Sequence, residues 1–310
     1  MKEFYSQQDL LDFVPRHEVF IGLDSDGCVF DSMTVKQRIF HDGIIRMWGL
    51  EAAEDDVRRI CEWVGLYSPW RGLNRFQLLL KIFQTLGNCV AAQGFASQGQ
   101  SDFQCLEKLS AEFPDIGKTL PIAALERFIE SGVPLSMAEL DKCRDAGLQD
   151  VFDWSAEVSR QIATISEMPV FDGVSLGLEK LREASDLIVV SQTTEEALVR
   201  EWRNAQLEEF IDVIAGAELG SKAESLTRAA VGRYSLDKIV MVGDAPGDLE
   251  AAQSVGCLFF PILPGGEVAS WTELLDTALP RIQAGTFAGA YQEDLIERFN
   301  AVLSPTPPWE

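Results

Sequence analysis

Two carboxylates, Asp24 and Asp26, stand two residues apart in the stretch LDSDGCVFDS, at the end of a short apolar run and directly before Gly27. A tight turn at the glycine can bring a carboxylate and a neighbouring backbone carbonyl to one point, which makes a hard-oxygen site of the kind Mg²⁺ prefers. Asp244 and Asp248, in the later stretch MVGDAPGD, can supply further oxygens. A carboxylate is also a competent nucleophile toward phosphorus, giving an aspartyl-phosphate, and a second acid beside it can protonate the leaving oxygen and then activate water. Several carboxylates and a dianionic substrate call for more positive charge than one Mg²⁺ carries. Lys222, in the segment GSKAES, is placed to provide it, while the Ser191 hydroxyl, with Gln192 next to it, can bind a phosphate oxygen. Backbone N–H groups at the start of a helix expected over 193–202 would add donors.

These residues need a frame that brings them together. Three apolar runs, 19–23, 187–190 and 239–242, end immediately before Asp24, Ser191 and Gly243-Asp244, and each reads as a strand buried on both faces. Helical patterns separate them: leucines 176, 178 and 181 lead into the second run, 223–231 into the third, and 249–255 ends at Gly256 before a further strand at 257–262. Such a rhythm predicts an α/β fold with a doubly wound parallel sheet, Rossmann-like, whose ligands bind beyond the carboxyl ends of the strands. About 150 residues separate the first two strands, far more than one crossover helix needs. Their helical character predicts an inserted α-helical cap domain at 36–168, closing over a core of 1–35 and 169–310, with a return turn at Met168-Pro169. Within it 94–101 reads as a Gly/Ser/Gln-rich loop, and the end of the chain, SPTPPWE, as an extended tail able to pack through Trp309. No internal repeat is present.

Composition narrows the function. The 310 residues are 46% hydrophobic and 24% charged, as in an ordinary globular protein, with a formal net charge of −23. That charge repels nucleic acid and anionic membranes, and no basic block offsets it locally. The six cysteines contain no C-x-x-C pair and His17 and His41 are the only histidines, so a thiolate zinc site is not expected. No apolar run approaches the roughly 20 residues that span a bilayer, and the start lacks a secretory pattern. A cytoplasmic location with free thiols is the expectation.

The order D-x-D-G, Ser, Lys, G-D-x-x-x-D, carried here by LDSDGCVFDS, VVSQT, GSKAES and MVGDAPGD, resembles the haloacid dehalogenase-like (HAD) hydrolase superfamily, and within it the capped phosphatases of phosphoglycolate phosphatase-like or beta-phosphoglucomutase-like type. The resemblance covers about 19–32 and 168–265. It implies that Asp24 is nucleophile and metal ligand. Asp26 is then general acid/base and a ligand through its backbone carbonyl, Asp244 a further ligand, and Asp248 a ligand directly or through water. Ser191 and Lys222 hold the phosphoryl group. An aspartate at 26 favours phosphatases and phosphomutases over dehalogenases and ATP-driven pumps. Gln192 departs from the asparagine common there.

The activity implied is Mg²⁺-dependent hydrolysis of a small phosphorylated metabolite. A phosphomutase acting on a sugar phosphate is the alternative, and a non-catalytic binding module on the same fold a further one. The resemblance is silent on the cap's substrate. There, Arg71 and Arg75 stand four apart in YSPWRGLNRF, where one helix would put them on one face to clamp an anionic group. Trp48, Trp63, Trp70 and Phe76 read as cap core.

Overall fold

A computed structural model describes residues 4–96, 106–132 and 148–309. The chain divides into two compact units: an α/β unit of Met1–Met33 and Ser166–Val302, and a helical unit of Thr34–Ile165 and Leu303–Glu310. The last eight residues therefore group with the helical unit, against the expected core of 169–310.

In the α/β unit five strands, β1 (Phe20–Leu23), β2 (Asp186–Val190), β3 (Val213–Ala215), β4 (Ile239–Gly243) and β5 (Leu258–Pro261), form one sheet in the order β3-β2-β1-β4-β5. All four pairings are parallel, and every strand residue is buried, as the unbroken apolar runs require. This is a doubly wound, Rossmann-like core. The chain winds outward through β2 and β3, then crosses back to β4, so the order reverses between β1 and β4, the place where such sheets bind ligands. Leu23 lies opposite both Val189 and Val242, which puts Asp24, the residue after β1, level with the ends of β2 and β4. The edge strand β3 has only three residues and no motif, and sequence reasoning did not find it.

The opposite, amino edge of the sheet is tied down by Asp186. Its carboxylate accepts the backbone N–H groups of Arg16 and His17, both at 2.9 Å, the Tyr234 hydroxyl at 2.7 Å and Arg16 Nε at 3.0 Å. Burial alone would push this acid up, but the donors outweigh it and hold its pKa below the ordinary value. Asp186 anchors the N-terminal segment and lies away from the motif residues.

Among its described residues the helical unit buries an apolar cluster rich in aromatic rings. Trp48 meets Phe83 edge-on at 4.8 Å, Phe128 packs on Phe76 and Phe152 at 5.3 Å each, and Trp63 stacks edge-on with Trp70 and Trp309 at 5.4 Å. The four aromatics expected in this core all belong to the cluster or pack against it. The proline-rich tail is thus a part of this core through Trp309. Of the loop expected at 94–101, residues up to Ala96 continue the helix Arg75–Ala96, and 97–101 lie outside the described residues. No helix among the described residues is long and apolar enough to cross a membrane.

Candidate active site

Two glycines let the motif residues meet. A Cβ on Gly22 would sit 2.3 Å from Leu226 Cδ2, so the bare backbone of β1 admits the helix Lys222–Ala230 at close range. That helix starts on Ser221, whose hydroxyl caps the Glu224 N–H while the Glu224 carboxylate accepts the Ser221 N–H at 2.8 Å, an S-x-x-E capping box. Lys222 is consequently the first helical residue, at the carboxyl end of the sheet. A Cβ on Gly243 would lie 2.2 Å from Asp248 Cγ, so only glycine lets the Asp248 carboxylate rest on the end of β4.

The result is a buried charge cluster. Lys222 Nζ lies 2.7 Å from Asp24 Oδ2 and 2.5 Å from Asp248 Oδ1. Asp248 Oδ2 accepts the N–H groups of Asp244 and Ala245 at 3.1 and 3.0 Å, and Asp24 Oδ1 accepts the Ser25 N–H at 2.8 Å. Carboxylate oxygens of Asp24, Asp244 and Asp248 all lie within 4.8 Å of one another. Burial pushes the Asp24 and Asp248 carboxyls up, with Lys222 opposing in both cases. Burial would also lower Lys222, but its two carboxylate partners overcome this and keep it protonated.

The group joins three buried carboxylates to one ammonium, held by Asp24 and Asp248, and the ligand atoms it offers are all hard oxygens. A divalent cation of the Mg²⁺ type fits that donor set. Cys28 points its Sγ at Asp244 Oδ1 from 3.6 Å, and burial raises its pKa well above the ordinary value, which disfavours a soft thiolate there.

Asp26 is held apart from these three. Its Oδ2 accepts the Thr193 hydroxyl at 2.8 Å and its Oδ1 accepts the Ser32 hydroxyl. Two neighbouring carboxylates in one motif therefore have different surroundings, Asp24 on the ammonium and Asp26 between hydroxyls. Neither hydroxyl was assigned a role from the sequence, although a threonine two residues after Ser191 and a serine six after Asp26 were both visible there.

Ser191 is buried at the end of β2, and its Oγ accepts the Thr193 N–H at 3.2 Å. Gln192 is exposed. The helix expected from 193 starts later, at Glu195, because Thr194 is still extended. Its first N–H is already taken by Glu218 Oε2 at 2.9 Å, so that expected donor is not free for a phosphate.

The two arginines of the helical unit do not share a helix face. Arg71 lies in a turn, 4% exposed, with Nη1 on the Leu66 carbonyl at 3.0 Å. Arg75 begins the helix Arg75–Ala96 and donates Nη1 to Ser155 O, Ser155 Oγ and Ser159 Oγ at 3.1, 3.3 and 2.7 Å, with its guanidinium 5.8 Å from the Phe40 ring. The Pro-Trp-Arg-Gly turn ends the first arginine's segment before the helix begins, which is why spacing alone misplaced it.

No curated protein matches the chain. Among solved structures, a candidate HAD-hydrolase, YfnB from Bacillus subtilis bound to magnesium, is 12% identical with a TM-score of 0.40, over 79% of this chain and 86% of its own. A HAD-superfamily hydrolase of subfamily IA, variant 1, from Geobacter sulfurreducens PCA is 15% identical with a TM-score of 0.36, over 80% and 89%. The family model described as haloacid dehalogenase-like hydrolase matches residues 105–262, just over half of the chain, a span that contains Ser191, Lys222, Asp244 and Asp248 and follows Asp24 and Asp26. The chain thus belongs to the haloacid dehalogenase-like hydrolases.

Proposed function

We propose that this hydrolase is a Mg²⁺-dependent phosphatase of a small phosphorylated metabolite, working through a phosphoryl group carried on Asp24. The observation that carries the reading is the Lys222 ammonium bridging Asp24 and Asp248, with Asp244 in the same cluster, at the reversal point of the sheet. Asp24 would hold the metal together with Asp244, the Asp26 carbonyl and, directly or through water, Asp248. Mg²⁺ bound there supplies compensation for the phosphoryl charge and favours the ionised form of Asp24.

In this reading an Asp24 carboxylate oxygen attacks phosphorus. The bond from phosphorus to the alcohol oxygen breaks, and that oxygen takes the proton of Asp26 in its carboxylic acid form. The Asp26 carboxylate then takes a proton from water, whose oxygen attacks the phosphorus. The bond to Asp24 breaks, releasing inorganic phosphate and restoring both acids. Lys222 offsets the negative charge throughout, and the Ser191 hydroxyl, beside Gln192, binds a phosphoryl oxygen.

Arg75 is the substrate-binding residue proposed in the helical unit. Its Nη1 donates to the uncharged oxygens of Ser155 and Ser159, and an anion reaching the guanidinium would offset the cost of burying its charge. Arg71 is better explained as a support of the turn that leads to it. Phosphate release from a panel of small phosphomonoesters, with Mg²⁺ and with chelator, tests the reading. Release is expected only with Mg²⁺, and the Arg75→Ala variant is expected to raise KM for doubly anionic substrates alone. No release from any substrate would favour the phosphomutase or the binding module instead.

A further inference from the structure

We propose that Thr193 is a positioning residue, one that aims the Asp26 carboxyl at the leaving oxygen; this rests on the phosphatase reading above. A carboxylate turns about its Cβ–Cγ bond, and proton transfer requires its oxygen within hydrogen-bond reach of the acceptor. At Asp26 a hydroxyl meets each oxygen, Thr193 on Oδ2 at 2.8 Å and Ser32 on Oδ1, which fixes the plane of the group.

Thr193 is itself locked from both sides. Its N–H donates to Ser191 Oγ at 3.2 Å and its carbonyl accepts the Ala217 N–H at 3.0 Å. It occupies the short link between β2 and the helix Glu195–Asn204, so the residue that follows the phosphate-binding Ser191 by two also sets the proton donor. Its branched Cβ restricts the rotamer that carries the hydroxyl. Substrate binding and proton delivery are in this way coupled through three consecutive residues, Ser191 to Thr193. Asp26 and Asp24 are thereby set by different partners, hydroxyls for Asp26 and the Lys222 ammonium for Asp24.

The test compares Thr193→Val, which keeps the shape and removes the hydroxyl, with Thr193→Ser, which keeps the hydroxyl. Their kcat/KM, which covers the steps up to departure of the alcohol, is measured on an alkyl phosphate and on p-nitrophenyl phosphate, whose leaving group needs no proton. Thr193→Val is expected to lose about tenfold or more on the alkyl ester and to stay within about twofold on the aryl ester, with Thr193→Ser restoring the alkyl rate. Equal loss on both esters, or no loss on either, overturns the proposal while wild-type turnover leaves the phosphatase reading intact. Failure of the wild type to hydrolyse either ester counts against that reading instead. Crystal structures of the two variants then decide on Thr193 without turnover: an Asp26 side chain displaced in Thr193→Val and retained in Thr193→Ser supports it, and one unmoved in Thr193→Val overturns it.

Discussion

The α/β unit gathers a buried charge cluster at strand ends, where Lys222 bridges Asp24 and Asp248 with Asp244 in the same group, whereas the helical unit fills its interior with aromatic rings and keeps its buried histidine neutral. The difference reflects how each interior is specified. Strand register and two close glycine contacts fix where a carboxylate must stand, so a few residues carry the site and leave a readable pattern. Apolar packing tolerates many combinations of similar volume, so the helical unit needs no pattern beyond periodicity.

Variants that break each interior should respond differently. The largest effect is expected from Lys222→Met, which leaves Asp24 and Asp248 without their cation. In chelator it should destabilise the α/β unit by about 3–5 kcal/mol in denaturant unfolding, and Mg²⁺ should recover part of the loss. A loss unaffected by Mg²⁺ would remove the electrostatic explanation.

In the helical unit Trp309→Ala should cost about 3 kcal/mol, because the ring is 5% exposed and packs edge-on against Trp63. Trp309→Phe should cost less, since the indole N–H has no hydrogen-bond partner among the described residues to lose. Unchanged thermal unfolding in Trp309→Ala would show that the tail only rests on this unit.

A smaller and pH-dependent effect is expected from His41. Burial, reinforced by the Arg58 charge, lowers its pKa from 6.5 to about 4. The folded protein thus disfavours the charged imidazole, and the unfolded chain binds a proton first. His41's contribution should be intact above pH 6.5 and be lost as pH falls toward 4, by no more than about 3 kcal/mol. His41→Leu should remove that slope from a stability-pH profile, and an unchanged slope would place its origin elsewhere.

Much of the α/β unit could be read from the sequence because its signals are local: an apolar run, then a polar residue with a fixed partner type. Asp24, Lys222 and Asp248 were legible for that reason, and the structure brings their side chains into contact. Three-residue β3 left too short a run to register. Thr193 was read only as a helix start, since its contact with Asp26 joins residues 167 apart in the chain. Arg71 and Arg75 were placed on one face because spacing carries no information about the turn between them. Trp309's partner is likewise set by a long-range return of the chain that no local pattern records.

The central claim is that phosphorus is bonded to Asp24 during turnover. Mass spectrometry of peptides from the Asp26→Asn variant, quenched in acid after mixing with p-nitrophenyl phosphate, whose leaving group needs no proton, and Mg²⁺, tests it most directly. Without its general base the second half-reaction should slow, and a phosphoryl mass increment should appear on Asp24. An increment on another residue, or full phosphate release by Asp24→Asn, would contradict the account.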